Sequence, residues 1–234
     1  FHLAAVTRHV SLEGFLASNL DPVSHLLNLV RDHNRKLKRF VFVSTQAAAG
    51  PASSPDNPVT EEHDPVPVEY YGLSKAKAEA IVKKYGDTVP YTIIRPAAVY
   101  GPGDRDFLTI FRFLKNNLSV YPGNRDNCIS LIYGYDLAEA IAACTETAVS
   151  VNQTYFIPHP QHACWHNIHN TIAGIMDKKP LEINLHPRLV RFAAGIGDRY
   201  ASFTNKCGLV NSQKIALSEP PYWICSSAKA ETDF

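Results

Sequence analysis

Residues 38 to 45 read KRFVFVST, a short β-branched and aromatic run with polar residues at both ends. A run of that length with no polar alternation describes a strand buried on both faces, the kind found in parallel sheets covered by helices. The flanking segments fit such a sheet. FHLAAV at 1 to 6 reads as a strand, and LDPVSHLLNLVRDHN carries apolar residues at helical spacing, with Asp21 placed as cap and Pro22 as first residue. A helix is expected from Tyr71 to about Tyr85, ending at Gly86, and YTIIRP is the next strand, closed by GPGD. DRDFLTIFRFLKNN has a helical apolar stripe, and SLIY, DLAEAIAACTETA and TYFI read as strand, helix and strand. This is α/β alternation, and it continues to about Pro158. Beyond it the helical segments WHNIHNTIAGIM and HPRLVRFAAGIGDRYASF suggest a second, smaller unit. Between Gln46 and Val68, five prolines and several acidic residues mark a long ordered loop at the carboxyl end of the KRFVFVST strand, a place where sites are often built.

Composition sets the partners. The 234 residues are 45% hydrophobic, with 23 basic against 22 acidic side chains, so a packed core is expected and neither nucleic acid nor an anionic membrane is a natural partner. A small-molecule substrate is the better default. No stretch reaches the roughly 20 apolar residues that span a bilayer, so stable membrane insertion is not expected. Cys128, Cys144, Cys164, Cys207 and Cys225 are odd in number, scattered and without a CxxC pair. Neither a disulfide framework nor a thiolate zinc site is indicated, and a reducing cytoplasm fits best. HPQHACWHNIH gathers His159, His162, Cys164, His166 and His169, yet the spacing matches no standard zinc pattern, so no metal is assigned. LVRFAAGIG, with Arg188, Arg191 and Arg199 in and around it, is read as a helix packed on the second unit rather than a membrane-surface helix.

The segment EYYGLSKAKAEA, residues 69 to 80, raises a question of chemistry. Tyr71 and Lys75 are four apart, hence on one helix face roughly 5 to 6 Å from each other. An ammonium beside a phenol favours the phenolate, which would draw a tyrosine from its reference value of about 10 towards neutrality. Tyr70 has Ser74 at that spacing and no cation. Alone the pattern is weak and more often describes an exposed helix face.

Four motifs in order supply context: FHLAA at 1 to 5, RFVFVST at 39 to 45, YYGLSK at 70 to 75 and IIRPAAVYGPGD at 93 to 104. Together they resemble the extended short-chain dehydrogenases/reductases, the NAD-dependent epimerase/dehydratase superfamily. The resemblance is specific from Phe1 to about Thr145 and looser to Phe234. It implies a Rossmann-like, doubly wound three-layer α/β/α fold with a smaller C-terminal substrate domain. Residues 1–102 and about 130–158 would form a partial cofactor domain, and about 103–129 and 159–234 the substrate domain. It further implies that Tyr71 is the catalytic acid/base, that Lys75 lowers its pKa and holds the nicotinamide ribose, and that the Thr45 hydroxyl binds the reacting oxygen. For the cofactor, NAD or NADP, the matching positions are Ala4, Ala5, Asn19, Ser44, Pro96 and Val99, together with Tyr71 and Lys75. A homodimer is allowed for, since helix-mediated dimers are common in the family.

Two departures matter. The glycine-rich fingerprint that meets the pyrophosphate would lie upstream of Phe1, as would the residue that selects NAD over NADP. The chain is therefore expected to be the carboxyl-terminal part of a longer polypeptide. Nucleotide-sugar enzymes of the family usually carry an asparagine two residues before the tyrosine of VYGP and an arginine-aspartate pair entering the later strand, where Ala98 and the pair Ile129 and Ser130 stand here. RPAAVYGP and ISLIYGYDLAEAI look more like the branch of 3β-hydroxysteroid dehydrogenases and dihydroflavonol reductases. Arg105, Arg112 and Arg125 remain as phosphate partners from the substrate side. The leading expectation is hydride transfer at a secondary alcohol or ketone by a Thr-Tyr-Lys site. A nucleotide-sugar 4-epimerase or dehydratase is the alternative, and a catalytically silent cofactor-binding protein the third reading.

Overall fold

Phe40–Val43 forms β1, Tyr91–Pro96 forms β2 and Gln153–Ile157 forms β7, joined as a parallel sheet in the order β1-β2-β7. The computed structural model of the chain describes residues 1–204 and 211–234. Register pairs Phe42 with Ile93 and Ile94 with Tyr155. Because side chains alternate across a strand, Phe40, Phe42 and Ile93 pack on one face while Val41, Ile94 and Tyr155 pack on the other. The first face receives Val23 and Leu27 of α2, Asp21–His33, and Ala78 and Val82 of α3, Tyr70–Lys84. The second receives Ile141 of α5, Gly134–Ala143, and Ala230 of α9, Ala228–Asp233. Helices thus cover both faces of a parallel sheet, which is the α/β class expected from KRFVFVST.

The remaining elements are small. Ala98–Tyr100, β3, pairs in parallel with Leu131–Tyr133, β6. Leu118–Tyr121, β4, pairs with Leu181–Asn184, β9. Cys128–Ile129, β5, lies between Ala163–Cys164, β8, and Tyr222–Trp223, β10. Segments on either side of Pro158 are therefore interleaved. The helices α4, Arg105–Lys115, α6, Trp165–Ile175, α7, Pro187–Thr204, and α8, Ser212–Ser218, complete this part.

Several expectations need correction. FHLAAV is not a full strand: His2 bridges Phe42, its amide donating to the Val41 carbonyl at 2.8 Å, while Leu3, Ala4, Ala5 and Val6 are exposed. Asp21 is not the cap of its helix. A preceding helix, α1, Leu12–Asn19, runs into α2 through Leu20, whose backbone is itself helical, so Asp21 falls inside the first turn. Cys128 and Cys164 form a disulfide. They sit directly opposite one another on β5 and β8, a juxtaposition 36 residues apart in sequence that counting cysteines could not reveal. Cys144 and Cys225 are free and buried, and Cys207 lies outside the described residues. Helix α7 packs against α8 with Ala194 and Ala201 inward, but Leu189, Phe192, Ile196 and Tyr200 are more than half exposed, so only one side of it is covered. Among the described residues no helix is long and apolar enough to cross a membrane.

Candidate active site

The carboxyl end of β1 and the first two turns of α3 form the site. Glu69 caps α3, its carboxylate accepting from the amides of Tyr71, at 2.5 Å, and Gly72. Burial raises the Glu69 carboxyl above the usual range, and those two amide bonds pull it back. Gly72 is required by proximity rather than by backbone angle. A Cβ there would lie 2.3 Å from the Ala47 carbonyl oxygen, so glycine lets α3 close on the one-turn helix Gln46–Ala48 that follows β1. That approach brings the Thr45 hydroxyl close enough to Tyr71 to favour its phenolate. Thr45 also caps the short helix, accepting from the Ala47 amide at 3.2 Å, which fixes its side chain. The Tyr71 ring leans on Phe15 of α1, with centroids 6.2 Å apart.

Lys75, one turn on, is 1% exposed. Its ammonium donates to the Val43 carbonyl at 2.8 Å and stands 4.2 Å from the centre of the Phe42 ring. Burial lowers its pKa from 10.5 to about 8, with the negative charge of Glu79 acting against the fall. Tyr71 moves the other way. Burial and the Glu69 charge push it up to about 12, and the nearby Thr45 hydroxyl only partly opposes them. The downward pull that the i to i+4 spacing suggests is therefore not the dominant influence in this structure, because the ammonium is turned towards the end of β1.

The remaining predicted residues divide by exposure. Ala4 and Ala5 are exposed in the segment that follows the His2 bridge to β1. Asn19 is buried and acts through the backbone: it accepts from the Val6 amide at 2.7 Å and donates to the Val6 carbonyl and to Ser74 Oγ, both at 3.0 Å. It ties the segment after Ala5 to α3. Ser44 is buried and donates to Glu79 at 2.5 Å. Pro96 is enclosed within β2. Val99 is exposed and lines an open cleft of about 560 Å³ with Tyr100, Pro102, Asp104 and Tyr135, which contains none of Thr45, Tyr71 or Lys75.

Among possible phosphate partners, Arg125 is paired with Glu182, while Arg105 and Arg112 are exposed on α4. The histidine-rich segment is divided among other duties. Cys164 is in the disulfide, His166 lies 3.3 Å from Asp126, and His169 is buried against Ser119 at 2.8 Å and stacked on Tyr121. Among the described residues no group of three or more His, Cys, Asp or Glu side chains is placed to hold a metal ion.

Comparison with known proteins adds the following. The family model described as the NAD dependent epimerase/dehydratase family matches residues 1–157. A UDP-glucose 4-epimerase of Vibrio cholerae is 29% identical over 125 residues, 52% of this chain and 38% of that protein. A ceramide reductase of Caulobacter vibrioides is 26% identical over 227 residues, 97% of this chain and 65% of that protein. The chain thus spans less than two thirds of the length of either curated relative. The solved UDP-glucuronic acid 4-epimerase of Bacillus cereus, in complex with UDP-glucuronic acid and NAD, superposes with a TM-score of 0.76 at 21% identity, covering all of this chain and 68% of that one. At that identity the likeness speaks for the fold.

Proposed function

Because the chain belongs to the NAD-dependent epimerase/dehydratase family, we propose that it transfers hydride at a secondary carbinol of a nucleotide sugar, oxidising and re-reducing one carbon within a turnover. The observation that carries this is the close approach of α3 to the end of β1 at Gly72, which sets Tyr71 near Thr45 with the buried Lys75 ammonium one turn along the helix. NAD or NADP, when bound, supplies the hydride acceptor and donor. Tyr71 and Lys75 would hold its nicotinamide end, with the exposed Ala4 and Ala5 leaving it space. Asn19, Ser44 and Pro96 serve it only through the backbone they support.

Each residue has a stated proton or hydrogen bond to handle. Thr45 hydrogen-bonds the carbinol oxygen without ionising. Tyr71 takes the proton of that oxygen as the carbon is oxidised and returns it as the carbonyl is reduced. Lys75 keeps a positive charge behind the tyrosine. Hydride leaves and returns to the same carbon, so the cycle needs no net oxidant.

A second reading, a reductase or dehydrogenase with net cofactor turnover, is favoured by specific positions. Ala98 offers no amide, and Ser130, where an arginine-aspartate pair usually enters, is buried and accepts from the Cys225 amide at 3.2 Å. The relative aligned over 97% of this chain is a reductase.

UDP-glucose with NAD, assayed for epimer by chromatography and for net NADH by absorbance, separates the two readings. In either, Tyr71→Phe should lower turnover by about 10²-fold or more while Tyr70→Phe changes it little, since proton transfer contributes about 10²- to 10⁴-fold. Undiminished turnover in Tyr71→Phe would remove Tyr71 from the mechanism.

A further inference from the structure

A second charged constellation lies directly behind the site. Tyr71, Lys75 and Glu79 occupy successive turns of one face of α3. Glu79 is 2% exposed, yet it carries no solvent-facing charge, because Arg95 of β2 meets it bidentately. The Arg95 Nε donates to Glu79 Oε1 at 3.0 Å and Nη2 to Oε2 at 2.7 Å. Arg95 is 1% exposed, its guanidinium carbon 5.1 Å from the centre of the Phe156 ring. Glu79 Oε1 also accepts the Ser44 hydroxyl at 2.5 Å. Lys75 holds the carbonyl of Val43, the neighbouring residue, at 2.8 Å. Consecutive residues at the end of β1 are thus gripped from consecutive turns of α3, immediately before Thr45.

We propose that Glu79, locked by Arg95, is the positioning residue of this site: through Ser44 it sets where β1 presents Thr45 to Tyr71. This rests on the reading of Thr45, Tyr71 and Lys75 given above. The geometry also reassigns Ser44. Its hydroxyl proton is given to Glu79, so Ser44 serves the site by anchoring the strand end. A buried ion pair of this kind is a poor stabiliser compared with an apolar pair of like volume. Its placement, one turn beyond the lysine and in contact with the strand residue before Thr45, accounts for it where stability does not. Burial alone lowers Lys75, and Glu79 is the charge that opposes the fall.

The test is titration of Lys75 itself, followed by carbon-detected NMR of protein labelled at lysine Cε, with the Lys75 signal assigned by its loss in Lys75→Met. In Glu79→Gln the midpoint should fall by about one pH unit or more relative to the unmodified protein, a roughly tenfold loss of protonated lysine near the midpoint. Turnover should lose its alkaline limb at correspondingly lower pH. Because Glu79→Gln leaves Arg95 buried without its counter-charge and can fail to fold, the double variant Glu79→Leu, Arg95→Met serves as the second arm. It should fold with a smaller fall in the Lys75 midpoint, because the Arg95 cation is removed along with the carboxylate, and with lowered turnover, because Ser44 has lost its acceptor. A Lys75 midpoint unchanged in Glu79→Gln, or undiminished turnover in the folded double variant, would overturn the proposal. Failure of the underlying reading is separately visible: Tyr71→Phe would retain turnover while the Lys75 midpoint still moved in the Glu79 variants.

Discussion

Replacing Lys75 by Met tests the electrostatics of the site without any substrate. The folded protein holds this lysine at about 8, against 10.5 for the free side chain, because the ammonium is almost wholly removed from water. Between those values the unfolded chain binds a proton that the folded chain does not, so stability rises with pH across that window. The gap corresponds to about 3 kcal/mol at about 1.4 kcal/mol per pH unit, of which about 2 kcal/mol should be realised by about pH 9.5. Below about 8 the whole penalty stands; above 10.5 it is gone. Other groups titrate in the alkaline range as well. Tyr71, raised to about 12, and Cys144, raised to about 11 by burial, lower stability as pH rises. Those contributions are common to both proteins and cancel in the difference. Urea unfolding of the two proteins at pH 7, 8, 9 and 9.5 gives that difference directly. It should shift in favour of the lysine protein by about 2 kcal/mol from pH 7 to 9.5. A flat difference would show that Lys75 is solvated in the folded state and that its burial has been misread.

Arg95→Met should be among the most destabilising single changes in the chain. It leaves the Glu79 carboxylate buried with only the Ser44 hydroxyl, which typically costs about 3 to 5 kcal/mol and would appear as a large fall in the urea midpoint. Adding Glu79→Leu should recover most of that loss, because no orphaned charge remains; a double variant as unstable as Arg95→Met would show that the guanidinium packing on Phe156, not the charge pair, carries the effect.

Much of this architecture is legible in local pattern. KRFVFVST is a strand buried on both faces because its residues feed two clusters, and EYYGLSK starts a helix because Glu69 can cap it. What could not be read depends on partners far along the chain. FHLAAV has the composition of a strand, but only His2 finds a ladder partner. The Cys128–Cys164 bond needs β5 and β8 to be antiparallel neighbours, and β9 is too exposed and polar, reading LEIN, to announce itself. At the site, Tyr71, Lys75 and Thr45 follow from spacing and resemblance, whereas Glu79 was visible only as one more glutamate in an alanine-rich helix. Its position four residues after Lys75 was the available signal. Its meaning required Arg95, an arginine inside an apolar strand, to be recognised as a charge needing a buried partner.

If Tyr71 and Lys75 act as proposed, the two titrations together make the directions of the reaction unequal. Tyr71 keeps its proton up to about 12, so on that proposal the proton donor for carbonyl reduction is in place throughout the neutral range. Oxidation of an alcohol instead needs the phenolate, which burial and the nearby Glu69 carboxylate disfavour. Its population, and with it the oxidation rate, should climb about tenfold per pH unit below the tyrosine pKa. The climb is bounded by Lys75, which has lost half of its charge near 8 and with it the cation one turn along α3. Single-turnover rates of oxidation and reduction, measured from pH 6 to 9, should therefore separate: reduction level up to about pH 8, oxidation rising steeply to the same point and then bending. Parallel profiles for the two directions would mean that proton exchange at Tyr71 is not part of the step being measured, and an oxidation rate already level at pH 6 would mean that bound ligands lower Tyr71 far more than Glu69 and burial raise it.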